Sequence, residues 1–155
     1  MFTGNVSPAR VYLRLAILAV LFTGLTGTSF SVLAAQKMQL ILHPSVQPQT
    51  LSHTEARMVF SARKQHWDDG TKIKVFVLKT DSVLHQYFCQ QILRMFPYQL
   101  ERIWNQITYS GQGDSPEIVN SQQALIDAVY STPGAVGYAT EEKIEQVRAM
   151  KDDSQ

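Results

Sequence analysis

Cysteine is nearly absent from the chain, since Cys89 is the single one among 155 residues. An internal disulfide is therefore excluded, and the hydrophobic core alone must stabilise the fold. An excess of charge of either sign is also lacking, because 14 lysines and arginines stand against 13 aspartates and glutamates. The formal net charge of +1 gives no electrostatic basis for nucleic-acid binding. Because 45% of the residues are hydrophobic, a disordered or low-complexity chain is excluded as well.

The first 35 residues contain no acidic side chain. Arg10 and Arg14 precede an apolar run at residues 15–22, and mostly small residues follow up to Ala34. Positive charge, an apolar stretch and small residues in that order are typical of a secretory signal peptide. The sequence predicts a signal peptide over residues 1–34, cleaved after Ala34 or one residue later. A single domain over residues 35–155 would then be exported to the periplasm.

An uncleaved anchor in the inner membrane is the alternative for this leader. Its amino-terminal region is unusually long, which favours the anchor. Threonines, glycines and a serine interrupt the apolar run after Phe22, however. A membrane-spanning helix needs about 20 consecutive apolar residues, so the pattern favours cleavage.

Three strands are predicted in the exported domain. Apolar side chains alternate at residues 38–42 and 73–78, and a short apolar run occupies residues 135–139. Helical patterns lie between them. Strands that alternate with helices form an α/β domain, in which a small, mostly parallel central sheet is flanked by helices.

Helix starts are marked by local signals. Ser52 and Glu55 have the spacing of a capping box, which predicts a helix over about 53–64. Pro97 suits the first turn of a later helix, in which apolar residues recur at i, i+3, i+4 and i+7. Asn120 begins a second capping-box spacing ahead of a further helix.

Several short motifs follow one another along the chain in a specific order. They are Leu51-Ser52, Trp67-Asp68-Asp69-Gly70, Phe88, Trp104, Tyr109-Ser110-Gly111-Gln112-Gly113, Pro116 and Pro133-Gly134-Ala135-Val136-Gly137-Tyr138. In that order they resemble the phosphate-type periplasmic substrate-binding proteins of ABC transporters. Full-length members of that family have two lobes and bind phosphate in the cleft between them. Since this chain is long enough for only one lobe, the resemblance implies a short, single-lobe periplasmic-binding-protein-like fold.

The resemblance also indicates where a ligand would bind. In the family, an arginine followed by Ser-Gly-Thr at a helix start forms the cleft motif of this lobe. Residues 79–84 read Lys-Thr-Asp-Ser-Val-Leu. Ser82 matches the serine and Lys79 lies near the arginine position, whereas Val83 and Leu84 replace Gly-Thr.

Physical chemistry selects the same residues. Ligands of open parallel sheets bind beyond the carboxyl ends of the strands, and residues 79–82 follow such an end. A helix start attracts an anion through its free N–H groups. Lys79 adds positive charge, and the hydroxyls of Thr80 and Ser82 can donate hydrogen bonds. These three residues are the candidate oxyanion ligands, and simple capping by Asp81 or Ser82 is the alternative.

Basic residues are concentrated next to this position. Residues 57–79 hold six basic and two acidic side chains, a local excess of +4. Such an excess attracts anions or phospholipid headgroups. A solvated surface is the alternative, because these side chains are spread over helix, turn and strand.

The sequence contains no recognisable catalytic or metal-binding set. The four histidines, His43, His53, His66 and His85, share no metal-ligand spacing, which leaves them as surface or capping residues. The Gly111-Gln112-Gly113 stretch lacks the Lys-Ser/Thr of a phosphate-binding loop and predicts a turn. No serine lies in a nucleophile elbow. We therefore predict no enzyme activity, no metal and no cofactor.

Four further side chains have apolar surroundings. Trp67, Trp104 and Tyr138 suit either core packing or a binding face. Cys89 lies between Phe88 and further apolar residues, which predicts a small buried side chain and not a reactive thiol.

Two functions follow from these features. The first is a periplasmic solute-binding-like protein for phosphate or a similar oxyanion, linked to ABC-type transport. The second is a non-catalytic periplasmic interaction module that has lost its ligand pocket. Its partner would be an ABC transporter permease or an envelope sensor protein.

Overall fold

The computed structural model describes residues 37–47 and 49–152, with the last two as backbone only. The signal-peptide prediction for residues 1–34 lies outside this part. Within it, no helix combines the length and the apolar character that a membrane crossing requires.

Strands and helices alternate along the chain, as predicted. In order they are β1 (Met38–Leu42), α1 (His53–Phe60), β2 (Lys74–Leu78), α2 (Val83–Phe88), a π-helix (Cys89–Leu93), α3 (Pro97–Ser110), β3 (Glu117–Val119), α4 (Gln122–Ser131), β4 (Ala135–Thr140) and α5 (Glu141–Asp152). The four strands form one sheet in the order β1-β4-β2-β3. β2 pairs in parallel with both β3 and β4, and only β1 is antiparallel to its neighbour. The predicted α/β class with a mostly parallel sheet is confirmed.

β4 lies inside the sheet, and all six of its residues are buried. Successive side chains of a strand point to opposite faces, and β4 shows what covers each face. A Cβ added at Gly137 would lie 2.5 Å from Leu125 Cδ2, so α4 packs closely on that face. The next residue, Tyr138, stacks on Phe88 of α2 with ring centroids 3.8 Å apart, and Phe60 of α1 lies beside them. Helices therefore cover both faces of the sheet.

α1 begins where the capping box predicts but ends earlier than expected. It stops at Phe60 and not at residue 64. Ala62 takes a left-handed φ of 54°, and the amides of Arg63 and Lys64 both donate to the carbonyl oxygen of Met58. The chain turns away from the helix at this point, which brings the following segment towards β2.

Two details near the end of the sheet were not predicted. β3 is three residues long, and Glu117 and Ile118 are exposed, so its sequence carries no alternation of buried and exposed side chains. The cap of α4 is Ser121 and not Asn120, since Ser121 Oγ accepts from the Ala124 amide at 3.1 Å.

Candidate functional site

The candidate site lies at the carboxyl edge of the parallel strands. β2 and β3 run in the same direction, and Leu78 at the end of β2 is paired with Val119 at the end of β3. β4 is parallel to β2 and ends at Thr140. A helix begins within five residues after the end of each of these strands. The structure thus places residues 79–82 at the edge where ligands of such sheets bind.

Residues 79–82 form a tight turn between β2 and α2. The Ser82 amide donates to the carbonyl oxygen of Lys79 at 2.9 Å. The carbonyl oxygen of Ser82 in turn accepts from the Gln86 amide at 3.0 Å, which begins α2. Lys79 is exposed, whereas Thr80 and Ser82 are half-buried. The three predicted ligands are brought together on this turn, which we call the 79–82 turn.

The hydroxyl of Ser82 is used differently from those of the other helix starts at this edge. Ser121 caps α4 with its side chain, and Thr140 Oγ1 accepts from the Lys143 amide at 3.4 Å in the first turn of α5. Ser82 occupies the N-cap position of α2, yet its side chain makes no capping hydrogen bond. The capping alternative is therefore right about the position of Ser82 and wrong about its hydroxyl.

A buried hydrogen-bond network holds both ends of the 79–82 turn. The hydroxyl of Tyr138 accepts from the Leu78 amide at 3.0 Å and lies 2.6 Å from His85 Nδ1. On the other side of the imidazole, His85 Nε2 lies 3.4 Å from Cys89 Sγ. Leu78 directly precedes the turn and His85 lies in the first turn of α2, so one phenol group ties the strand end to the helix.

Burial sets the protonation of this network. It lowers the pKa of His85, against a smaller opposing effect of Glu101, and it raises the pKa of Tyr138. It also raises the pKa of the Cys89 thiol to about 12. A neutral imidazole has one donor and one acceptor nitrogen, so His85 pairs with the Tyr138 hydroxyl at Nδ1 and with Cys89 Sγ at Nε2 at the same time. Cys89 is fully buried, as its apolar neighbours predict, and its raised pKa keeps the sulfur protonated at neutral pH.

The prediction for His85 was wrong, because this histidine is fully buried and not at the surface. A sequence signal for its burial does exist. His85, Phe88 and Cys89 follow the i, i+3, i+4 spacing of an apolar helix face. The hydrogen bond between His85 and Tyr138 joins residues 53 positions apart, and no local sequence pattern predicts it.

Core packing is confirmed for Trp67, Trp104 and Tyr138, all of which are buried. Trp67 Nε1 donates to the Gly134 carbonyl at 2.9 Å, and Trp104 Nε1 donates to the Phe60 carbonyl at 2.7 Å. Among the described residues, no three histidine, cysteine, aspartate or glutamate side chains are grouped so that they could hold a metal ion.

The basic residues of segment 57–79 do not form one patch. Lys64 pairs with Asp68 at 2.7 Å, and Lys72 pairs with Asp114. Both lysines line a cavity of about 170 Å³ at the amino ends of β2 and β3, away from the 79–82 turn. The local charge excess is thus divided between separate surfaces.

Comparison with known proteins finds similarity in structure alone. No family model matches the chain, and no curated protein matches it in sequence. PstS from Borrelia burgdorferi matches with a TM-score of 0.58 at 15% identity, over 72% of this chain and 43% of that one. A possible phosphate binding protein from Planctomyces limnophilus matches with a TM-score of 0.53 at 12% identity, over 72% of this chain and 38% of that one.

The chain has a periplasmic-binding-protein-like fold. The prediction drawn from the motif order is confirmed at this level, because both matches cover 72% of this chain. The chain spans only 43% and 38% of the two matched proteins. The similarity of fold therefore does not establish that this chain has the activities of the two matched proteins.

The buried histidine predicts a pH dependence of the stability of the lobe. Because the pKa of His85 is lowered from 6.5 in the folded state, the unfolded chain takes up a proton while the folded chain stays neutral. The free energy of unfolding should therefore fall as pH drops below about 6.5, by up to about 1.4 kcal/mol per pH unit. Urea titrations between pH 7 and pH 5 measure this slope, and His85→Gln should reduce it. An equal slope in both proteins would contradict the assignment.

Proposed function

We propose that this protein is an exported solute-binding-like protein that binds phosphate or a similar oxyanion at the 79–82 turn. In this proposal a cleaved signal peptide delivers it to the periplasm, where it serves ABC-type transport. The observation that carries the proposal is the hydroxyl of Ser82, which makes no capping hydrogen bond at a helix start on the carboxyl edge of the sheet. The names of the two fold matches, PstS and a possible phosphate binding protein, support the choice of ligand.

The local groups suit a small oxyanion. Lys79 provides an exposed positive charge beside the turn, and the half-buried hydroxyls of Thr80 and Ser82 provide hydrogen-bond donors. The exposed carboxylate of Asp81 opposes them and weakens the attraction. One lobe also offers only half of a two-lobed cleft, so we expect weak binding unless a second surface closes over the ligand.

A melting experiment on protein purified after expression of the full chain tests this proposal. A ligand present at about 100 times its dissociation constant stabilises the folded state by about 2.7 kcal/mol. For a domain of this size the melting temperature then rises by roughly 10 °C. Phosphate should produce such a rise, whereas chloride and sulfate at equal ionic strength serve as controls.

Lys79→Glu should abolish the phosphate-dependent rise, because it reverses the charge beside the turn while leaving folding nearly unchanged. Lys74→Glu is the matched control, since Lys74 is an exposed lysine at the other end of the same strand. Ser82→Ala should weaken the rise without abolishing it. If phosphate stabilises the Lys79→Glu protein as much as the parent, the 79–82 turn is not the site.

A second function is favoured by one observation at the same turn. Val83, which stands where the resemblance expects glycine, is 79% exposed. An apolar side chain offers no hydrogen bond to an anion, whereas burial against another protein would remove it from water. We propose, as the alternative, a non-catalytic periplasmic interaction module that contacts a transporter permease or an envelope sensor protein. Absence of any phosphate-specific rise in the parent protein would favour this alternative.

A further inference from the structure

Four arginines line one surface cavity of about 620 Å³ between α1 and α3: Arg57, Arg63, Arg94 and Arg102. We call this cavity the arginine groove. Its other walls include Ser61, Gln99 and Tyr98, which can donate hydrogen bonds, and no carboxylate lines it. The groove shares no residue with the 79–82 turn and is independent of the function proposed above.

Within the part of the chain that the structure describes, no carboxylate forms an ion pair with an arginine of the groove. The three ion pairs among the described residues, Lys37–Glu141, Lys64–Asp68 and Lys72–Asp114, all use lysines. Residues 35–155 carry 12 basic and 13 acidic side chains. Four arginines gathered without a carboxylate are therefore a local segregation of charge in a nearly neutral domain, and such a surface attracts anions.

Backbone carbonyl groups fix the position of one arginine in the groove. Arg94 directly follows the π-helix and has a left-handed φ of 55°. The turn exposes two carbonyl oxygens to Arg57, whose Nε donates to Leu93 at 2.8 Å and whose Nη2 donates to Arg94 at 2.9 Å. Arg57 is thus held in place while its remaining N–H groups are available, and a fixed guanidinium loses less entropy on binding an anion.

One end of the groove is apolar. Met95 lines it and also lines an adjoining cavity of about 560 Å³, together with Phe96. Phe96 and Tyr98 stack on each other with ring centroids 5.8 Å apart, and they are 56% and 64% exposed. The basic groove therefore continues into an exposed aromatic surface. Exposed aromatic side chains next to basic ones are typical of surfaces that contact lipid headgroups.

We propose that the arginine groove binds clustered phosphate groups, supplied either by a free polyphosphate or by the headgroups of anionic phospholipids. A single phosphate is satisfied by one or two bidentate guanidinium groups. Four arginines lining one groove provide enough guanidinium groups for two or more phosphate groups. The shared chemistry is several phosphate charges held within the span of the groove, and the two sources differ in whether the aromatic surface also takes part.

Isothermal titration with inorganic triphosphate tests the proposal on protein purified after expression of the full chain. At a constant ionic strength of about 0.15 M, triphosphate should bind at least about tenfold more tightly than orthophosphate, because it engages several guanidinium groups. Arg63→Gln combined with Arg102→Gln should weaken triphosphate binding by at least about tenfold. Both side chains are exposed and donate no hydrogen bond within the described residues, so folding should be retained.

Lys143→Gln combined with Arg148→Gln is the matched control, since it removes two positive charges from α5. It should change triphosphate binding by less than about twofold, because neither side chain lines the groove and charges outside a site are screened by salt at this ionic strength. An equal loss in the control pair would overturn the proposal, since binding would then reflect net charge alone. Loss of triphosphate binding in Lys79→Glu would also overturn it, because the ligand would then occupy the 79–82 turn.

Vesicles distinguish the two sources. Co-sedimentation with phosphatidylglycerol vesicles, compared with phosphatidylcholine vesicles, should be lost in the Arg63→Gln, Arg102→Gln protein if headgroups are the ligand. Triphosphate binding without vesicle binding would assign a free polyphosphate. Phe96→Ser should reduce vesicle binding while leaving triphosphate binding intact. Failure to bind either probe would refute the proposed role of the groove.

Discussion

Gly134→Ala should destabilise the lobe by about 3 kcal/mol. Gly134 has a left-handed φ of 78°, and a Cβ added there would lie 2.5 Å from the carbonyl oxygen of Lys72. The φ value costs alanine roughly 1–2 kcal/mol, and the forced displacement adds roughly 1–3 kcal/mol. The backbone cannot move away freely, because the Gly134 carbonyl accepts from the Lys74 amide and from Trp67 Nε1.

The melting temperature measures this loss. At roughly 4 °C per kcal/mol for a domain of this size, Gly134→Ala should melt about 12 °C lower than the parent. Gly111→Ala is the matched control, since Gly111 has a similar φ of 65° but open space where its Cβ would lie. It should lose only the roughly 1–2 kcal/mol due to φ. Equal losses in the two proteins would show that close packing at Gly134 contributes nothing.

Tyr138→Phe should also cost about 3 kcal/mol, although it removes a single oxygen atom. That oxygen accepts from the Leu78 amide at 3.0 Å and lies 2.6 Å from His85 Nδ1, and the tyrosine is fully buried. Phenylalanine leaves both partners unpaired in the interior, at roughly 1–3 kcal/mol for each buried polar group. Urea unfolding at pH 7 measures the change in the free energy of unfolding.

Tyr109→Phe is the control for Tyr138→Phe, because Tyr109 is 92% exposed and its substitution should be neutral within about 0.5 kcal/mol. A double variant tests the mechanism. His85→Leu removes the nitrogen that Tyr138→Phe leaves unpaired, so the two changes together should cost less than their sum by about 1 kcal/mol. Strict additivity would mean that the phenol and the imidazole do not interact.

These two positions determine how precisely the candidate site is held. The carbonyl of Gly134 accepts from the Lys74 amide and so holds the start of β4 beside the start of β2. The hydroxyl of Tyr138 links the end of β2 to α2. The 79–82 turn lies between the groups that Tyr138 connects. A variant such as Tyr138→Phe should therefore loosen the turn as well as lower the stability of the lobe.

Much of this architecture is predictable because its causes are local. The capping box of Ser52 and Glu55, the position of Pro97 at the start of α3 and the strands β1, β2 and β4 all depend on residues within a few positions of each other. β3 was missed because its side chains are mostly exposed. The cap of α4 was assigned one residue early because Asn120 and Ser121 are both suitable caps.

The sequence by itself determined the α/β order, the mostly parallel sheet and the position of the 79–82 turn after β2. These features depend on short-range periodicity and on helix capping, and both involve residues that are close together in the sequence. Only the tertiary structure decided that His85 meets Tyr138 in the core, 53 residues away, and that Arg57 and Arg94 line one groove. Such contacts depend on how helices pack across the sheet, which is set by the shape of the whole core and not by any local pattern.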